Sequence, residues 1–145
     1  LIDLLEHVPD CRSLIAELAP LANLFLIKLP IESSVFDNYF LPKEYPGSSH
    51  SNGHVREFNV NNVHYFIRKL GLTPLFESIY RYELDDVFPP LRRSATMRVR
   101  LSRLVIKSFK FSLSKILPTR LFLRVVGGGG YICLAKYDEA HRLNP

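Results

Sequence analysis

The chain predicts an α/β domain on a mostly parallel, doubly wound sheet. Residues 1–5 are a short apolar run, residues 10–21 carry one-faced helical periodicity, and residues 23–30 are a continuous apolar run, all with short connections. Strand, helix and strand in that order make a crossover unit, right-handed by rule. A continuous apolar run of strand length suits a parallel strand covered on both faces. At 145 residues the chain is one domain or part of one.

The first helix starts at Pro9 or Asp10, whose carboxylate can accept from the orphan N–H groups of the first turn. Leu14, Ile15, Leu18, Leu21 and Ala22 form its apolar face, with Pro20 near its end. Leu24 to Leu29 is the next strand. Residues 31–58 make a long segment rich in Ser, Asn, Gly and Pro; Phe36, Tyr39, Phe40 and Tyr45 there line an acceptor pocket or form a satellite hydrophobic cluster. Asn59 caps a helix over about 60–70, with Val63, Phe66, Ile67 and Leu70 on one face and Gly71 as its stop. Residues 73–84 read as a strand, 85–90 as a turn, and 91–117 as a long helix closed by Pro118. Gly127 to Gly130 is a flexible turn, and 131–137 is the last strand.

Net charge is +5 but unevenly spread. No acidic residue stands between Asp86 and Asp138, an interval that holds Arg92, Arg93, Arg98, Arg100, Arg103, Lys107, Lys110, Lys115, Arg120, Arg124 and Lys136. In the long helix Arg93, Arg100, Arg103, Lys107 and Lys110 are expected on one side. Met97, Leu101, Leu104, Val105, Phe109, Leu113, Ile116 and Leu117 are expected largely on the other. Such a basic amphipathic helix can lie on an anionic membrane, hold a phosphate-bearing acceptor or nucleic acid through residues 92–124, or pack on the sheet with a solvated basic face. No window approaches the ~18 apolar residues of a membrane span, and no basic n-region opens the chain. The expected location is cytoplasmic, with peripheral membrane contact as the variant. Cys11 and Cys133 form no CxxC motif and read as buried free thiols.

Asp3-Leu4-Leu5-Glu6-His7-Val8-Pro9-Asp10, a helix with Leu18 and Pro20, and Phe25-Leu26-Ile27-Lys28-Leu29-Pro30 together resemble the second half of a class I S-adenosylmethionine-dependent methyltransferase. Gly53-His54-Val55 with Phe58, Leu70-Gly71-Leu72 and the last strand extend the likeness over most of residues 1–84 and again over about 127–137. The resemblance implies the second half of a Rossmann-like sheet, its last strand antiparallel and paired with 73–84. Residues 91–126 are then a basic helical insertion. It also implies in-line methyl transfer from S-adenosylmethionine to an acceptor. Asp3, Leu5 and Glu6 are expected at the cofactor edge. Glu6, His7 or His54 would serve as base for a hydroxyl acceptor. His50 is a second loop histidine of that kind; His64 is expected to be solvated and His141 lies in the tail.

The family's glycine-rich loop, where backbone approaches the cofactor closely, is not present as G-x-G-x-x-G. The expectation is therefore a partial domain over 1–145, cut from a longer protein. S-adenosylmethionine would be held through a missing N-terminal half, and this chain alone would be inactive. Related ubiquinone-type catechol and small-RNA 2′-O-methyltransferases bind a divalent cation through E-x-x-E-H, here Asp3-x-x-Glu6-His7. No metal is assigned, with Asp3, Glu6, His7 and His54 as the ligands a cation would use. The rival to the enzyme reading is a non-enzymatic binding or scaffold module working through the basic helix. An unfinished sheet would also leave an exposed edge open to dimerisation.

Overall fold

The fold is taken from a computed structural model, which describes residues 1–32, 34, 35, 54–82 and 97–138. Among the described residues the order is α1 (Cys11–Leu18), β1 (Leu24–Ile31), α2 (Val63–Lys69), β2 (Leu72–Arg81), α3 (Met97–Ile116), α4 (Thr119–Val125) and β3 (Gly129–Tyr137). Phe36, Tyr39, Phe40, Tyr45, His50, the 85–90 turn, Arg92, Arg93 and His141 lie outside the described residues, as do the side chains of Arg98, Arg100 and Arg103.

Local chemistry accounts for the element ends. Asp10 caps α1: its Oδ1 accepts from Ser13 N at 3.0 Å and its Oδ2 from the Ser13 hydroxyl at 2.7 Å. The backbone bond from Ser13, foremost, holds the Asp10 carboxyl below the ordinary carboxylate range. α1 ends at Leu18 because Pro20 has no N–H to continue the ladder. Gly71, at φ 75°, ends α2 in the left-handed region. Asn59 sits further upstream than expected. Its Oδ1 accepts from Asn61 N and Asn62 N in a turn, and α2 proper begins at Val63.

The sheet has the order β1-β3-β2, with β3 antiparallel to both neighbours. β1 and β2 are thereby parallel to one another without touching. The one parallel contact among the described residues is at the far edge of β1, where Ile2 bridges Lys28. There Lys28 N donates to Leu1 O at 3.1 Å and Asp3 N to Lys28 O at 3.2 Å. The expected antiparallel last strand paired with the 73–84 region is present. The expected mostly parallel sheet is not what the described strands form, because β3 intervenes between the two that share a direction. β2 is an edge strand, which is where Pro74 can be tolerated, and a bulge lies between Pro74 and Phe76.

Burial alternates along β1: Phe25, Ile27 and Leu29 are in the core, while Leu24 and Leu26 are 51% and 48% exposed. The run expected to be covered on both faces is thus covered on one over residues 24–28 and on both only at its end, where Leu29, Pro30 and Ile31 are all buried. Its inner positions join Tyr131, Cys133 and Ala135 of β3, Ile15 of α1, Val63 and Ile67 of α2, and Phe122 and Leu123 of α4 in one core. Each such aliphatic or aromatic side chain contributes about 1.5–3 kcal/mol by leaving water.

The long basic helix ends before Pro118 as expected, but a second helix, α4, follows that was not expected. Arg81, at the end of β2, holds their junction together: Nη1 donates to Ser114 O (2.6 Å), Nη2 to Leu117 O (2.7 Å) and Nε to Thr119 Oγ1 (3.2 Å). Its guanidinium also lies 4.9 Å from the Phe122 ring centroid. A cation at a helix C-terminus satisfies carbonyls that have no intrahelical donor. The expected faces are corrected. Lys110, placed on the basic face, is 6% exposed and donates to Val126 O at 3.3 Å. Leu104, Val105, Phe109 and Ile116, placed on the packed face, are exposed. A bundle of Leu113, Leu117 and the Arg81 contacts decides which side turns inward, and it outweighs the simple polar–apolar division.

Gly127 and Gly128, at φ 76° and 79°, form the turn into β3, while Gly129 and Gly130 belong to the strand itself. A Cβ on Gly129 would strike the Tyr80 carbonyl and come within 2.5 Å of Leu123 Cδ2, whereas one on Gly130 would meet the Tyr80 ring at 2.6 Å. Gly129→Ala should therefore cost about 1–3 kcal/mol in urea unfolding, as overpacking does. Gly130→Ala should cost less, because a side chain can move where backbone cannot.

Candidate functional site

Residues 1–3 run parallel to β1, and both segments point their carboxyl ends the same way. In open α/β sheets ligands bind at that edge. The chain leaves residue 3 through a tight turn, with Asp3 at φ 48° and His7 N donating to Leu4 O at 3.0 Å. Asp tolerates the left-handed region better than most residues. The turn carries Leu5 into the core and leaves Glu6 1% exposed, while His7 faces outward.

Residues 54–58 lie against this turn. Val55 N donates to Glu6 O at 2.8 Å. Arg56 clamps the two segments: Nη1 donates to Leu5 O (2.7 Å) and Val8 O (2.6 Å), and Nη2 to Pro9 O (2.8 Å). Its guanidinium also touches Cys11 Sγ and sits 5.3 Å from the Phe66 ring centroid. Burial, more than anything else, pushes the Cys11 thiol up despite this cation. Cys133 is likewise raised by burial, and both thiols are free and buried as expected.

The docked segment delivers His54 beside Glu6 and His7. One ligand atom from each of the three lies within 4.8 Å of the others. The His7 and His54 rings meet edge to face, centroids 4.6 Å apart. His54 is 8% exposed, and its Nδ1 is 2.8 Å from Glu32 Oε2 just beyond the end of β1. Glu6 Oε2 is buried with no hydrogen-bond partner among the described residues. A buried carboxylate oxygen without a donor is costly, and a cation beside it would remove that cost.

Of the residues expected at the site, Glu6, His7 and His54 converge. Asp3 does not join them: it bonds Lys28 Nζ at 2.6 Å, a surface pair. Leu5 is wholly buried and offers its carbonyl to Arg56. Glu32 and Arg56 were missed. The available signals were an acid directly after an apolar strand and an Arg two residues beyond His54, and neither names its partner in sequence. Tyr82, just after β2, also faces this region. Burial raises its phenol pKa, reinforced by the charges of Asp3, Glu32 and Glu6 among others.

Glu6, His7 and His54 are the described residues that could hold a divalent cation. Two imidazoles and a carboxylate are a borderline set suited to zinc, manganese or iron(II), and three protein ligands are the usual number where a site also admits substrate. A carboxylate on the second nitrogen of a ligating histidine, as Glu32 is on His54, is the common outer-shell arrangement.

His64 is not the solvated residue expected from the sequence. Its Nδ1 lies 2.9 Å from Glu77 Oε2, which also accepts from the Tyr131 hydroxyl at 2.9 Å. Its Nε2 is buried without a partner among the described residues. Burial pushes the Glu77 carboxyl up, but the bonds from His64 and Tyr131 outweigh it and the net shift is down from 4.5. A depressed carboxyl stabilises the fold above its unfolded pKa, and that contribution is lost as pH falls through the folded one. The melting-temperature gap between the parent and Glu77→Gln should therefore hold above pH 4.5 and close as the solution is acidified below it.

In comparisons with known proteins, no family matches this chain and none of the curated proteins does.

Proposed function

We propose that this chain forms the acceptor-facing half of an S-adenosylmethionine-dependent methyltransferase. Support comes above all from the placement of β3: an antiparallel strand between two strands that share a direction, with Glu6 and His7 directly following a short segment parallel to β1. On this reading the described sheet is one side of a larger Rossmann-like sheet. The cofactor does not fit the described residues. Gly127 and Gly128 lead into a strand, whereas a cofactor loop leaves a strand and opens a helix. Leu5 and Glu6 are buried and Asp3 is engaged by Lys28. On this reading S-adenosylmethionine would be held by residues other than those described.

This chain's own residues would then position and deprotonate the acceptor. Glu32 fixes the His54 ring, His7 presents its imidazole at the surface, and Glu6 places a buried carboxyl group beside them. Such a group suits a hydroxyl acceptor, whose proton must leave as the oxygen reacts. A cation held by Glu6, His7 and His54 would lower the pKa of an oxygen bound to it.

Two measurements test the reading. In the natural-length protein, calorimetry should show S-adenosylhomocysteine binding. Label from tritiated S-adenosylmethionine should pass into an extract of the source cells, and His54→Ala should slow that transfer while changing S-adenosylhomocysteine affinity less than about twofold. Folded natural-length protein that gives no heat with S-adenosylhomocysteine sinks the proposal. For the cation, zinc or manganese at a hundredfold excess over its Kd should add about 2.7 kcal/mol to unfolding. Glu6→Gln and His54→Ala should each remove most of that gain; equal stabilisation of the variants would place the ion elsewhere.

A further inference from the structure

α3 is a 20-residue helix, about 30 Å long, and among its described side chains those of the second half fasten it. Lys110, Leu113 and Leu117 face the body, and Arg81 grips the carbonyls of Ser114 and Leu117. The opposite arc carries large apolar side chains in water. Leu104 is 65% exposed, Val105 62%, Phe109 52%, Phe111 51% and Ile116 76%. Val105, Phe109 and Ile116 form one ridge at i, i+4 and i+11, and Leu104 and Phe111 form a second at i and i+7. Ser108, Ser112 and the exposed Lys115 lie between the ridges. The Ser112 hydroxyl donates to Ser108 O at 3.0 Å, and nearby Ser114 bonds Phe111 O at 2.7 Å. A serine whose proton is taken by its own helix can enter an apolar medium at small cost.

The charge around this arc has one sign. Lys115 lies 5.3 Å from the Phe111 ring centroid, and Arg120 and Arg124 of the following helix α4 are exposed. No acidic residue occurs anywhere between Asp86 and Asp138. A second copy of the chain would bring like charges together, which disfavours self-association through this arc. No helix of the described residues is long and apolar enough to cross a membrane. Exposed apolar ridges flanked by long cationic side chains, which can reach outward while their stems stay in the apolar layer, are the features of a helix that lies in the membrane interface.

We propose that α3, assisted by the basic residues of α4, docks in the plane of an anionic lipid surface, with Leu104, Val105, Phe109, Phe111 and Ile116 inserted among the lipids. This goes beyond the methyl-transfer reading and does not depend on it. Co-sedimentation of the whole chain with phosphatidylcholine vesicles containing about a third phosphatidylglycerol tests it. Binding should be at least about fivefold weaker to pure phosphatidylcholine, and it should weaken as salt rises. The pair Val105→Ser and Phe109→Ser should reduce it by about as much, with unchanged circular dichroism. Leu104→Ser with Phe111→Ser serves if the first pair misfolds. Failure to sediment with the anionic vesicles at low salt overturns the proposal. So does equal binding by folded Ser variants, since that would leave charge alone at work. Retention of a DNA duplex by a chain that ignores vesicles would assign the surface to nucleic acid instead, and a dimer abolished by the Ser pairs would assign it to a second copy.

Discussion

The structure depends on the seating of β3 between β1 and β2. That strand alone supplies hydrogen-bond partners to both neighbours, and its Tyr131, Cys133 and Ala135 are wholly buried beneath the helices. Two glycines make the seating possible at the point of closest approach, where the Tyr80 backbone and Leu123 leave no room for a Cβ at position 129. β1 and β2 come from chain segments far apart, separated by α2 and the long 31–58 connection. Only a strand arriving last can pair with both, so much of the sheet's hydrogen bonding waits on contacts distant in sequence.

Two arginines do comparable work in different parts of the fold. Arg56 gathers carbonyls from the turn over residues 5–9, and Arg81 gathers those at the end of α3. In both cases the planar guanidinium answers backbone acceptors that no regular ladder can reach. The Arg56 clamp matters for chemistry. It fixes the segment that brings His54 to Glu6 and His7, so the candidate site is held by the same bonds that close the core beside it. Glu32 adds the last constraint by orienting the His54 ring. Among the described residues Glu6 Oε2 is buried without a donor, which is the cost of this arrangement.

Short-range patterns were legible because their causes are short-range. The Asp10 cap, the Gly71 stop and the strands near 24–30, 73–84 and 131–137 follow from residue type and spacing, and each lies within a few residues of its expected bounds. Glu6, His7 and His54 were legible as candidates by type and by family likeness. Their convergence was not, since residue 54 reaches the turn only through Arg56 and Val55. Glu32 and the His64–Glu77–Tyr131 group were not legible either, because pairs across 13 to 54 positions leave no local trace.

The sequence by itself determined the α/β class, most of the element order, the Asp10 cap, the Gly71 stop and the one-signed charge of the segment after Asp86. Tertiary structure decided which neighbour each strand found, which face of β1 was covered and which side of α3 turned inward. The physical reason is the same in each case. Periodicity states that a face is apolar, but burial is settled by what is available to cover it. In α3, Leu113, Leu117 and the grip of Arg81 drew one side to the body, and the exposed apolar ridges are what remained.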